Sequence, residues 1–317
     1  MKLKIILFTF LFSFLSSETL FPGIFGDDLK ELIISNYKTS STLGYNNARD
    51  IMYSEIDIKA NNQLTGVYSG YTITLNLSQD PSTNAYEQGI NCEHSWPQSL
   101  GAGSEPMKSD MHHLFPTKSN VNSSRGNDPF DEVTDALTDK WYRNDYYIQT
   151  VPSEFINEYA EKYNPSNQSD ERFEPREEQK GNTARAMAYF YTMYSQEADN
   201  NFWELQKETL FNWNYIDTPD TEEINRTWEI ASHQQNNPNP FVIDPTIFDR
   251  IYFWQDILRG DINIDHYLDV LDLVQMIGII VNQESYSDEI LYIVDANEDG
   301  NFNVLDIVIF VQIIVGE

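Results

Sequence analysis

Cysteine is nearly missing from these 317 residues, and bases are scarce. The single thiol, Cys92, excludes an intramolecular disulfide framework, so packing and bound ions must hold the chain together. One thiol is also too few for a structural zinc site, and Cys92 is predicted to be a small buried residue on a strand. Only 20 lysines and arginines stand against 50 acids, a formal charge of −30. Such an exterior draws cations and repels a polyanion, unless a cleft is locally basic or carries a metal. No long apolar run follows the first seventeen residues, so no later segment is expected to span a membrane. Hydrophobic content of 40%, with 14% aromatics, excludes global disorder.

What is present begins with a basic start (Lys2, Lys4), an apolar run over residues 5–15, and small residues Ser16 and Ser17. This reads as a secretory signal peptide over residues 1–17, with an uncleaved anchor as the alternative. Apolar spacing predicts helices over residues 27–37 and 45–56, then one or two strands within 67–77. A strand over 89–97, a loop over 99–110 and a short strand over 112–116, stopped by Pro116, come next. A short helix capped by Ser119 or Asn120 follows. Residues 128–180 are poor in aliphatics and read as irregular, with 171–180 a solvated charge run. Helical periodicity returns from Asn182, and further helices are predicted over 203–213, 219–235 and 245–258.

Of only five histidines, His94, His112 and His113 fall within residues 91–127. Glu93 adjoins His94, and Asn122 and Arg125 lie about thirty residues on. Acid, imidazole, amide and guanidinium together suit a divalent cation held against a phosphate while a base takes a proton from water.

The ordered run of Glu93-His94-Ser-Trp96-Pro97, Ser109-Asp110-Met-His112-His113-Leu-Phe115-Pro116 and Asn122-Ser-Ser-Arg125-Gly-Asn127 resembles the bacterial endonuclease I family, nucleases of the His-Me finger (ββα-metal) class. Gly181 to Ala186 and Asn237 to Phe241 extend the likeness. It implies an α+β nuclease domain over residues 18–258, secreted and monomeric, that cleaves DNA, and RNA as a further substrate, leaving 5′ phosphates. By that resemblance His94 is the general base, Glu93 and Asn122 hold Mg²⁺ (or Mn²⁺ or Ca²⁺), and Arg125 clamps a phosphate. His112 and His113 are expected to pack or orient the site, with Asp110 a partner. Trp96 and Phe115 are assigned to the core, while Arg185 is open between the cleft and a salt bridge. The family's Asp-His-Pro stretch is Asp244-Pro245 here, without its histidine.

Residues 256–317 hold 13 acids and one base, and within them a repeat recurs 34 positions apart. Asp295, Asn297, Asp299, Asn303 and Asp306 occupy positions one, three, five, nine and twelve of a calcium loop, with Gly300 at six. Asp261, Asn263, Asp265, Asp269 and Asp272 repeat the pattern, with His266 at six, where a side chain costs backbone freedom. An apolar helical run follows each loop, at 273–281 and 307–315. The pair resembles a type I dockerin, which implies a small all-α, Ca²⁺-binding module over 259–317. Binding of a cohesin or surface scaffold and a Ca²⁺-stabilised terminal cap are both open. A catalytically inactive, calcium-dependent binding protein is the alternative to the nuclease.

Overall fold

The computed structural model describes residues 19–283 and 285–316. The expected signal peptide at 1–17 lies outside the described residues. Among the described residues no helix is long and apolar enough to cross a membrane.

Helix α1 (Gly26–Tyr37) places Asp27 and Asp28 at its positive end and buries Leu29 and Ile33. Helix α2 (Tyr45–Ile51) continues into a π-helical turn at Met52–Ile56. The first sheet is antiparallel, β1 (Ile58–Lys59), β2 (Gln63–Thr65) and β3 (Thr72–Thr74), and so begins earlier than the expected strands. Asp80 accepts the Thr83 amide at 2.8 Å and Pro81 occupies the first turn, which starts α3 (Pro81–Glu87).

Strands β4 (Ile90–His94) and β5 (Leu114–Lys118) pair antiparallel, with Glu93 opposite Phe115 and His94 opposite Leu114. The expected second strand therefore starts later, and His112 and His113 sit in a 3₁₀ turn. Pro116 does not stop it. The proline pairs with Cys92 in a two-stranded ribbon, where a missing N–H is tolerated at an edge, and its carbonyl accepts the Val67 amide at 2.9 Å. Helix α4 (Ser119–Arg125) follows without a break, its cap position being Lys118 rather than Ser119 or Asn120. The unit is strand, strand, helix, as the motif implied.

Residues 128–180 correct the irregular reading. They form a four-stranded antiparallel sheet in the order β7–β6–β8–β9: β6 (Lys140–Arg143), β7 (Tyr146–Ile148), β8 (Ala160–Tyr163) and β9 (Arg172–Glu174). Aromatics supply the burial that aliphatics usually provide, Tyr142 and Phe173 on one face of the sheet and Trp141 on the other. Nor is the charge run wholly solvated. Lys180 is buried and meets Glu132, Glu174 and Glu177 at 2.7, 2.8 and 2.9 Å.

Helix α5 (Lys180–Met193) is buried along nearly its whole length and lies against the later helices. The two expected helices beyond it become α6 (Asn200–Glu204), α7 (Lys207–Ile216) and α8 (Thr221–His233), the last capped by Asp220. A short α9 (Pro240–Ile243) follows. The continuous helix expected over 245–258 is replaced by a π-helical turn at Asp249–Phe253 and a 3₁₀ turn at Trp254–Asp256. There Arg250 is buried against Asp244 at 2.5 Å and the carbonyls of Leu20 and Phe21 at 2.9 and 3.0 Å, which ties the start of the described chain to its middle.

The C-terminal segment is helical: α10 (Val270–Asn282), the unexpected α11 (Asp288–Val294) and α12 (Val304–Val315). Leu273, Met276, Ile293, Ile307 and Phe310 form its core, and Phe25, just ahead of α1, completes it.

Glu161 on β8 stands in register with Glu174 on β9. Burial, with the neighbouring Glu174 adding to it, pushes Glu161 up to about 8, and burial pushes Glu174 up to about 7. The folded state thus keeps protons that the unfolded chain releases near 4.5, and stability falls as pH rises from there to 8. Glu161→Gln removes the charge and retains an acceptor for Thr138. Thermal melts should show no change at pH 5 and a melting temperature higher by roughly 2–4 °C at pH 9.

Candidate active site

β4 delivers Glu93 and His94 at its end, and neighbouring strand residues point to opposite faces. Glu93 is buried at 1% exposure. Its Oε1 accepts the Tyr68 hydroxyl at 3.0 Å and lies 3.3 Å from the Arg125 guanidinium. Burial raises the Glu93 carboxyl to about 7, with Arg125 and Tyr68 pulling it back down. Among the described residues, no hydrogen bond reaches Oε2.

Asn122, on α4, reaches back to β4. Both its Nδ2 protons are used, one on Asn91 Oδ1 at 3.0 Å and one on the Cys92 carbonyl at 3.1 Å. That fixes the amide and leaves Oδ1 as its free acceptor. Glu93 Oε2 and Asn122 Oδ1 are therefore two hard oxygens without protein partners on adjoining elements. Such a donor set fits a small divalent cation that keeps most of its water. Among the described residues no three His, Cys, Asp or Glu side chains are grouped to hold a metal, so one carboxylate and one amide are what this end of the ribbon offers.

His94 is held by both ring nitrogens. Nε2 lies 3.0 Å from the Lys108 carbonyl, which can only accept, so Nε2 carries the proton. Nδ1 keeps its lone pair and takes the Gln98 side-chain amide at 3.3 Å. Burial, then the adjacent His113, lowers the pKa to about 3, so the imidazole is neutral at any ordinary working pH. A phosphodiester brought alongside would raise it, since an anion favours the protonated ring. The Tyr45 ring lies 5.3 Å from the imidazole.

Arg125, expected to clamp a phosphate, lies inside the protein in the present structure. It is 1% exposed and donates to the carbonyls of His94 and Ser95 at 3.2 and 2.8 Å. It braces the end of β4 from inside. Arg185 likewise belongs to the interior, gripping Glu223 at 2.6 Å and the Asp217 carbonyl at 2.8 Å. Asp110 is buried and accepts from Tyr189, Tyr194 and Gln234 at 2.7–2.8 Å. It also caps the turn carrying His112 and His113. The His113 Nε2 proton goes to the Met107 carbonyl at 2.6 Å, and its ring sits 5.5 Å from that of His94. Trp96 stacks on Phe190 of α5 at 5.0 Å, so the chain beyond His94 is anchored in the core. Tyr68, Gln98 and Tyr45 were missed in the sequence: no motif marks Tyr45 or Tyr68, and only the four-residue spacing from His94 points to Gln98.

Both C-terminal loops share one backbone. Positions four and six are left-handed in each, Ile264 and His266 (φ 60 and 68°) and Glu298 and Gly300 (φ 58 and 80°). Asp261 accepts the Asp265 and His266 amides at 3.2 and 2.8 Å, and Asp295 accepts those of Asp299 and Gly300 at 3.1 and 2.8 Å. Asp272 and Asp306 are buried and bind the Asn263 and Asn297 amides, both at 3.3 Å. Asp269 and Asn303 cap α10 and α12, and Asn263 and Asn297 donate to Asp265 and Asp299 at 3.0 Å. Here too, no metal-holding group of three acids is formed among the described residues.

A family model for endonuclease I matches residues 26–246. The chain belongs to the endonuclease I family. The matched span takes in the whole ribbon, α4 and the helices behind it, and stops ahead of the calcium-like repeat. Two curated relatives are similar to part of it. The extracellular ribonuclease of Bacillus subtilis (strain 168) is 30% identical over 180 residues, 51% of this chain and 54% of that protein. That of Bacillus amyloliquefaciens is 30% identical over 179 residues, 51% and 53% of the two chains. The chain spans about half the length of the curated relatives it matches.

The internal brace has a distinctive signature in this endonuclease I member. Arg125→Met leaves the buried Glu93 without its counter-charge and should cost about 3–5 kcal/mol in chemical denaturation. Adding Glu93→Gln to Arg125→Met should restore much of that loss, whereas a solvent-facing clamp would show neither effect.

Proposed function

We propose that this enzyme, a nuclease by family, is a secreted, metal-dependent endonuclease that hydrolyses phosphodiester bonds of nucleic acid with little sequence preference. One observation carries the reading: among the described residues, Oε2 of Glu93 and Oδ1 of Asn122 are left without protein partners on adjoining elements, beside a His94 whose Nδ1 is an acceptor occupied only by the 3.3 Å contact to the Gln98 amide. Export is supported by the apolar leader in the sequence and by relatives named as extracellular. Their name also sets RNA beside DNA as a substrate to test.

In the reaction, the Lys108 carbonyl fixes the His94 tautomer, so that Nδ1 can accept a proton from a water molecule that takes the place of the Gln98 amide. Nδ1 takes the proton as the water oxygen bonds to phosphorus, the bond from phosphorus to the 3′ oxygen breaks, and the departing oxygen takes a proton from solvent water. The products carry a 5′ phosphate and a 3′ hydroxyl. Glu93 and Asn122 would hold a Mg²⁺-class ion, which supplies charge neutralisation at the phosphate and the departing oxygen. Arg125 and Tyr68 keep Glu93 oriented for that task. Phosphate contacts without base contacts account for low sequence preference.

Nicking of a plasmid and cleavage of a long RNA, each with Mg²⁺ and with EDTA, test this. The intact protein should cut at least one of them with Mg²⁺ and neither with EDTA. His94→Ala should fall by about 10²–10⁴-fold with an unchanged melting curve. Cleavage retained in His94→Ala sinks the assignment of the base, and no Mg²⁺-dependent cleavage by the intact protein favours the binding-protein alternative.

The two C-terminal loops are proposed to take Ca²⁺, supported by their common backbone and by oxygen side chains at five matching positions in each. A cohesin-type or surface scaffold is the partner this module would suit, with a stabilised terminal cap as the second use. Calorimetry on the full chain should show Ca²⁺ uptake that is reduced in Asp306→Ala. Ca²⁺ at about a hundred times its dissociation constant should add about 2.7 kcal/mol of stability. No heat and no shift in melting would remove the assignment.

A further inference from the structure

We propose that Arg49 and Lys108, gathered around the ring of Tyr45, are the cations that hold the substrate's phosphate backbone beside His94. The inference rests on the nuclease reading above and fills the role from which burial removes Arg125.

Tyr45 opens α2, and its ring stands 5.3 Å from the His94 imidazole. Arg49 lies one helical turn on, and its guanidinium carbon is 4.6 Å from the same ring. The Lys108 ammonium is 5.2 Å from it, approaching from the loop whose carbonyl fixes His94. One aromatic ring thus collects the imidazole and two cations from three separate parts of the chain. Cations settle on an aromatic face through its quadrupole, which presets their position without neutralising them.

Neither cation is neutralised by a carboxylate among the described residues. Acids outnumber bases 50 to 20 in this chain, and most other described lysines and arginines are ion-paired, including the buried Arg125, Lys162, Lys180, Arg185 and Arg250. Leaving two cations unpaired beside the candidate base runs against that composition. Arg49 spends one nitrogen on Asn46 at 2.9 Å, while its Nε is buried with no acceptor at all. Lys118 is the other unpaired base of the motif, and it is drawn instead over Tyr71 at 3.6 Å. A polyanion approaching so acidic a protein requires a local positive site, and these two side chains form one at the imidazole.

The test compares the full-length protein with Arg49→Gln/Lys108→Gln and with the charge-retaining Arg49→Lys/Lys108→Arg, on one oligonucleotide in Mg²⁺ over a range of NaCl. KM should rise about tenfold or more in the Gln pair while kcat stays within about threefold, and log KM should depend less steeply on log salt by about one to two. The charge-retaining pair should keep most of both. Anisotropy of the same oligonucleotide with His94→Ala protein in EDTA repeats the comparison without turnover, so a failure of cleavage and a failure of this inference give different results. Should the double Gln variant not fold, Lys108→Gln alone, at a half-buried side chain, should still lose about one unit of salt slope. Unchanged KM, binding and slope in a variant that melts like the parent overturn the proposal. So does a charge-retaining pair as impaired as the Gln pair, which would mark the residues as packing elements.

Discussion

A carboxylate kept out of water beside a buried guanidinium is the constraint on which this site depends. Glu93 could not sit at 1% exposure without Arg125 at 3.3 Å and the Tyr68 hydroxyl at 3.0 Å, because an isolated buried charge would neutralise itself or unfold the strand. The same guanidinium binds the carbonyls of His94 and Ser95, so one side chain fixes both the acid and the strand end carrying the imidazole. Arg125 is itself the last residue of α4, and Asn122 is one turn earlier on that helix. Fixing Arg125 therefore also fixes the amide, and three chemically different groups become one rigid object.

This arrangement is part of a wider pattern in how the chain spends its few bases. Arg125, Lys162, Lys180, Arg185 and Arg250 are all drawn inside, each against at least one carboxylate. Cations placed in the interior cannot balance the surface, so the exterior is more uniformly acidic than the composition alone suggests. For a member of a nuclease family this sharpens the demand on the candidate site, where positive charge has to come from the few cations that remain unpaired.

The placement of the candidate residues was more legible in the sequence than the scaffold around them. Glu93, His94 and Asn122 were legible because a strand end, a ribbon and a short helix can bring those spacings together in few ways, and the observed ribbon does so. The sheet at β6–β9 was illegible because its buried positions are aromatic and lie on both faces, Tyr142 and Phe173 on one and Trp141 on the other, a pattern that aliphatic alternation does not detect. The burial of Arg125 was illegible for a related reason: a guanidinium after such a run suggests phosphate, and only the packed structure shows it bracing the strand end from inside. Pro116 failed as a stop signal because the strand it sits in has no further strand to donate to. Residues 245–258 have helical spacing, yet Arg250 is pulled toward Asp244, Leu20 and Phe21, and the helix opens into a wider turn.

His266 shows how a local cost can be tolerated through tertiary contact. It holds φ 68° where its counterpart in the second loop is Gly300 at φ 80°, a conformation that a Cβ disfavours. Its ring meets Tyr215 of α7 edge-on at 4.7 Å, an aromatic contact worth about 0.5–1.5 kcal/mol, comparable with the strain of one left-handed residue. Gly300 makes no such contact and has none to make. The first loop has therefore exchanged backbone freedom for attachment to the nuclease helices, and Phe25 in the C-terminal core makes a second link from the other direction. Two repeats alike in backbone thus differ in their contacts, since only the first loop meets α7 through the residue at its sixth position.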